Sequence, residues 1–377
     1  MKRKRVFISP PDLTGEESRF VEDIFSSNWV APVGPHLAEF EAEIARFTGF
    51  KHALAVNSGT SAIHLALLCH GIQADDLVIS SSLTFCGAVN PVLYLKARPI
   101  LIDSNPDDWN IDIELLEKAI VQSQKKPKAI LITHLFGMPA DFDAIKGLSE
   151  KYEIPVIHDL AEALGCKTQN TLPGKVCDTA IASFNGNKLV TTSGGGALLT
   201  NNEAHYTKGL SLSTQAKAAG KSYNHIELGY NYRMSNVLAG IGLGQFTKIE
   251  EKVQRKREIF DYYKKCLGGI PGLKFQKEAE GLFSDRWLSA IYFDPKVFLN
   301  SPVESIINAL EEENIESRHV WKPMHLQPLY SPYEMYGGKV AESLYENGIC
   351  LPSGTSLRQE DQDQAIEILI NTLKAFQ

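Results

Sequence analysis

No run of apolar residues in this sequence is long enough to cross a bilayer, so a membrane-spanning helix is not expected. Cysteine is sparse: the six thiols, at 69, 86, 166, 177, 266 and 350, form no Cys-x-x-Cys pair and no His/Cys ligand spacing. That scatter argues against a disulfide scaffold or a metal framework and for free thiols in a reducing cytoplasm. Positive charge is not in excess either. Lys and Arg number 38 against 45 Asp and Glu, a formal net charge of −7, so no nucleic-acid partner is expected. The basic start, Lys2-Arg3-Lys4-Arg5, has no apolar core behind it and does not read as a secretory signal. There is no low-complexity stretch and no internal repeat.

What is present is the composition of a globular chain, 377 residues with 44% apolar and 22% charged, which suits one large domain and a smaller one. After a helical stretch near Glu16 to Ser27, short apolar runs alternate with helical patterns. Strands are expected at 52–56, 77–79, 99–102, 129–132, 155–158, 179–184 and 197–200. These runs are apolar throughout rather than alternating, as in a mostly parallel sheet covered on both faces. The reading is an α/β domain over 1–245, with an N-terminal arm, and a smaller α+β domain over 246–377. One long helix is expected from Ser235 to Leu267, its Gly240, Gly242 and Gly244 explained by close backbone packing.

In such a sheet ligands gather at the carboxyl ends of the strands, where Asn57 to Thr60, Thr84-Phe85, His134, Asp159 and Ser183 fall. Asn57-Ser58-Gly59-Thr60 joins a strand to a helix, either an ordinary capped turn or a cradle for a phosphate. Asp159 ends a buried strand and is either a helix cap or a carboxylate for a pyridinium nitrogen. Lys188, in Ser183-Phe184-Asn185-Gly186-Asn187-Lys188, is either a solvated loop lysine or an amine for Schiff-base chemistry. Each signal alone is weak; their order is not.

That order, with Gly34-Pro35, Phe40-Glu41, His134 with Gly137, and Gly229-Tyr230-Asn231-Tyr232-Arg233-Met234-Ser235-Asn236, resembles the DegT group of nucleotide-sugar aminotransferases. These have the type I fold of pyridoxal-phosphate enzymes. The segments 185–188, 191–196, 213–216, 286–289 and 348–355 are most similar to C4-aminotransferases of the UDP-N-acetylbacillosamine pathway.

The resemblance implies that Lys188 forms the Schiff base with pyridoxal 5'-phosphate and carries protons. It also implies that Asp159 pairs with the ring nitrogen and that Glu162 lies near the phenolic oxygen. It puts Phe85 and Ala161 on the two ring faces, and Gly59, Thr60 and Ser183 on the phosphate. Asn231 would reach the phosphate of a neighbouring subunit, making a homodimer with shared sites. Two departures stand out: Glu162 itself, and a glycine run, Gly194 to Gly196, that lacks the acidic residue of many relatives. Lysine rather than histidine at 188 argues against the sugar dehydratases of the group.

The expected reaction moves the amino group of L-glutamate to C4 of a UDP-linked 4-keto-6-deoxy-N-acetyl sugar in a ping-pong cycle. A GDP-sugar C4 or dTDP-sugar C3 enzyme is the alternative, and a non-catalytic cofactor-binding sensor is the alternative of a different class. Arg233, Arg286, Arg318 and His325 are the candidates for substrate contact. Against that, Arg233 could brace the long helix, Arg318 could make a surface ion pair, and His325 could be a satisfied, partly buried histidine.

Overall fold

The computed structural model describes residues 4–220 and 222–376. Its strands are β1 (His52–Val56), β2 (Leu77–Ser81), β3 (Arg98–Ile102), β4 (Ala129–Thr133), β5 (Val156–Asp159), β6 (Lys167–Thr168), β7 (Thr179–Ser183) and β8 (Gly196–Thr200). The later ones are β9 (Leu273–Phe275), β10 (Leu282–Phe283), β11 (Ser289–Phe293), β12 (Arg318–His319), β13 (Met335–Tyr336) and β14 (Gly348–Leu351). The main sheet runs β1-β8-β7-β5-β4-β2-β3-β13. Only β8 is antiparallel to its neighbours, β1 and β7. Apart from the two-residue edge strand β13, its strands are buried along almost their whole length, β4 at every residue, which is why their sequences show no alternation.

The expected helix from Ser235 to Leu267 is two helices, Asn236–Phe246 and Ile249–Leu267. The first closes where the Thr247 hydroxyl turns back onto the Gly244 carbonyl, 2.7 Å away. Its glycines do allow close approach: a Cβ on Gly242 would lie 2.4 Å from the Phe40 ring, and one on Gly244 2.6 Å from the Glu17 backbone. The helix thereby packs on Glu17–Ser26 and Pro35–Thr48.

Beyond it, the four-stranded sheet β12-β14-β11-β9 is covered by Ile249–Leu267, Val303–Glu312 and Gln359–Leu373. Ile259, Tyr263, Ile291, Phe293, Ile306 and Leu369 fill that core, joined by Val6 from the N-terminal arm. The traffic runs the other way too: Met324 and Tyr330 pack under the main sheet, and β13 adds to its edge beside β3. Among the described residues no helix is long and apolar enough to cross a membrane, and all six cysteines are free.

Candidate active site

The carboxyl ends of β1, β5 and β7 open on a cavity of about 290 Å³ lined by Gly59, Thr60, Phe85, Asp159, Ala161, Glu162, Ser183 and Lys188. One end is backbone. Ser58 caps the helix Gly59–Cys69, its hydroxyl accepting the Ser61 N–H at 3.0 Å, so the first N–H groups point into the cavity mouth. Glycine is required there: a Cβ on Gly196 would lie 2.5 Å from the Gly59 nitrogen, and one on Gly59 3.0 Å from Ser183 Cβ. The short βα turn is thus pressed against β8, with Thr60 and Ser183 beside it.

Asp159 ends β5 with 4% of its surface exposed and accepts the Ala161 N–H at 2.9 Å. Burial pushes its carboxyl up to about 6, with Glu162 adding repulsion and Lys188 too weak to cancel it. Glu162 is buried in turn, accepting the Phe136 N–H at 2.9 Å and the Trp321 indole N–H at 3.2 Å, and burial raises its carboxyl as well.

Lys188 Nζ stands 3.8 Å from Glu162 Oε1 and 3.9 Å from the centre of the Trp287 ring. Burial depresses its amine, opposed by Glu162, Asp159 and Asp285. Phe85 lies at the mouth, its ring centre 5.5 Å from that of Trp321.

These groups suit pyridoxal phosphate. A buried carboxylate short of a positive partner fits a protonated ring nitrogen, a helix start flanked by hydroxyls fits a phosphate, and a desolvated amine fits an aldehyde. Gly59, Thr60 and Ser183 would hold the phosphate, Asp159 the nitrogen, and Lys188 the aldehyde carbon.

Four other residues named from sequence lie outside the cavity lining. Arg233 pairs bidentately with Glu41 and donates to the Ala55 carbonyl at 2.9 Å, bracing the helix Pro35–Thr48 against β1. Arg286 is buried on Glu278, 3.0 Å away, and on the Phe260 ring. Arg318 makes a surface pair with Glu316 at 2.6 Å. His325 bonds Ser82 at 2.7 Å and Glu342 at 3.4 Å.

His134 is also outside, buried with Nε2 3.0 Å from His158 Nδ1 and its Nδ1 accepting the Ala140 N–H. Asn231 is exposed, its backbone carbonyl accepting from Asn57. Conversely, Trp287 and Trp321 line the cavity and were not among the candidates from sequence. A second cavity of about 420 Å³ adjoins at Asn187, Trp287 and Trp321 and runs out past Phe7, Arg318 and His319.

This fold and this site together define a pyridoxal-phosphate-dependent aminotransferase. The chain belongs to the DegT/DnrJ/EryC1/StrS aminotransferase family, whose model matches residues 11–370. It is 42% identical to EpsN of Bacillus subtilis (strain 168), over 98% of this chain and 96% of that protein. It is 36% identical to GDP-perosamine synthase of Escherichia coli O157:H7, over 95% of each chain. It is 29% identical to the UDP-4-amino-4,6-dideoxy-N-acetyl-beta-L-altrosamine transaminase of Campylobacter jejuni, over 90% of each. Among solved structures, a DegT DnrJ EryC1 StrS aminotransferase from Brucella abortus superposes with a TM-score of 0.87 at 26% identity, over 95% of each chain. Spr1654 of Streptococcus pneumoniae, solved in its PLP form, gives a TM-score of 0.90 at 25% identity over 99% of this chain and 100% of that one.

Proposed function

We propose that the protein transfers the amino group of L-glutamate to C4 of a UDP-linked 4-keto-6-deoxy-N-acetyl sugar, in two half-reactions that share one site. The observation that carries this is the placement of the Lys188 amine in one cavity with Asp159 and the Gly59 cradle. Pyridoxal phosphate supplies an aldehyde carbon that condenses with amines and a ring that accepts the electron pair of a broken C–H bond. Asp159 keeps a proton on the ring nitrogen, without which the ring is a poor acceptor. Lys188, once released, takes the proton from Cα of glutamate; burial favours the neutral amine that can do so. With the keto sugar bound, the same amine returns a proton to C4. Glu162 and Trp321 fix the wall beside it.

Residues 1–245 carry the cofactor groups, and 246–377 supplies Trp287 and Trp321. The adjoining cavity past Phe7, Arg318 and His319 gives a nucleotide-linked substrate somewhere to extend. The relatives named for GDP-perosamine and for a UDP-4-amino-4,6-dideoxy-N-acetyl sugar support a nucleotide-sugar substrate, and the second name supports amination at C4. The working unit is a homodimer: Tyr223, Ile226 and Leu228 are 82%, 86% and 76% exposed beside Asn231, an apolar face suited to a second copy. Through it Asn231 would reach the partner's phosphate cradle.

The test is turnover with glutamate and a panel of UDP-, GDP- and dTDP-4-keto-6-deoxy sugars. Preference for the UDP-N-acetyl sugar is expected, and activity on GDP- or dTDP-sugars alone would refute the substrate. Failure of glutamate to convert the bound cofactor to its pyridoxamine form would refute transamination.

A further inference from the structure

Trp287 is held more tightly than a wall residue needs. Its indole N–H donates to the Asn187 carbonyl at 2.7 Å, the residue directly before Lys188. Its backbone N–H donates to Asp285 Oδ1 at 3.2 Å, and Asp285 Oδ2 accepts the Gly165 N–H at 2.8 Å. Its carbonyl accepts from Lys256 Nζ at 2.9 Å. Lys256 is 2% exposed and spends its remaining donors on Ser9 Oγ at 3.2 Å and the Ser353 carbonyl at 2.9 Å. Gly137 is pressed against the same turn: a Cβ there would lie 2.5 Å from the Trp287 nitrogen. The indole is therefore tied to the lysine loop, to the segment that carries Asp159 and Glu162, and to the small domain.

The face so fixed lies under the Lys188 amine, 3.9 Å from it. A tryptophan face is the strongest aromatic partner for an ammonium, and it acts more strongly where water is excluded. We infer that Trp287 is a positioning residue that seats the ammonium formed once Lys188 has taken the substrate proton, holding it beside Glu162 until that proton is passed on. This rests on the assignment of Lys188 as the cofactor lysine. The charged groups acting on that amine are Glu162, Asp159 and Asp285, which favour its ammonium form, and Lys256, which opposes it. Because an indole face stabilises only the ammonium, weakening the face must lower the pH at which Lys188 loses its proton.

The experiment uses protein loaded with pyridoxamine phosphate, in which Lys188 is free. Acetylation of Lys188 by acetic anhydride is followed against pH by peptide mass spectrometry. Tryptophans of increasing fluorination are placed at 287, draining charge from the face with little change in shape. The midpoint should fall stepwise by roughly half to one pH unit across the series. Fluorination at Trp109, buried in the same apolar cluster but outside the cavity lining, should leave it in place. Trp287→Leu should show the largest fall, and if that variant does not fold the fluorinated series decides alone. A midpoint that ignores fluorination, or rises with it, overturns the inference. A separate arm asks whether pyridoxal phosphate and borohydride protect Lys188 from acetylation; lack of protection refutes the lysine assignment itself.

Discussion

Replacing Asp159 by asparagine should stabilise the cofactor-free protein at alkaline pH while crippling it as an enzyme. The carboxyl's ordinary value of 3.8 rises to about 6 in the fold, chiefly because it is buried. A raised carboxyl favours the neutral form in the folded state. Its contribution to stability is thus fully present below 3.8 and is lost as pH rises through about 6. A rise of that size corresponds to about 3 kcal/mol of folding free energy withheld above the window. Asparagine carries no charge, and its carbonyl can keep the Ala161 N–H bond seen at 2.9 Å. Apo Asp159→Asn should therefore be about 1–3 kcal/mol more stable than the parent at pH 8 and equal to it near pH 4. Thermal and urea melts of both apoproteins across that range measure the difference. With pyridoxal phosphate bound the order should narrow or reverse, because the parent carboxylate then has a ring proton to face. A variant less stable than the parent at pH 8, or a gain that does not change with pH, would refute the argument that Asp159 is a buried charge awaiting its partner.

Gly196→Ala places a Cβ 2.5 Å from the Gly59 nitrogen, backbone against backbone. It should cost about 2 kcal/mol or more and weaken cofactor binding, read by melting and by pyridoxal phosphate titration. Glu162→Gln removes a charge 3.8 Å from the Lys188 amine, worth up to about 4 kcal/mol at an effective dielectric of 20. The Lys188 acetylation midpoint should fall by roughly one to three pH units, and an unchanged midpoint would show that Glu162 is already neutral there. Ile226→Asp with Leu228→Asp should yield monomers in sedimentation velocity and lose most turnover, while a dimeric, active double variant would place the interface elsewhere.

The clustering of the strand-end residues around one cavity was legible in sequence because it is built locally. Asn57 to Thr60 follow β1, while Asp159 and Ser183 end β5 and β7, and such covered strands announce themselves as unbroken apolar runs. The surroundings of the Lys188 amine were not legible, for a physical reason. Trp287 reaches Asn187 and Trp321 reaches Glu162 across 100 residues or more of chain, and no periodicity or spacing near Lys188 encodes their arrival. The same gap hid the partners of Arg286. Its φ of +52° sits between two residues that bond toward the site, Asp285 and Trp287, yet its own guanidinium is spent on Glu278 and Phe260. Charge suggested a ligand contact, whereas burial beside a carboxylate and a ring made it part of the packing on the helix Ile249–Leu267. Arg233 followed the same rule on Glu41. Both arginines are satisfied within the chain, so the groups left to distinguish one substrate from another are those not so spent: the aromatic walls shared by the two cavities, and the exposed segment around Asn231.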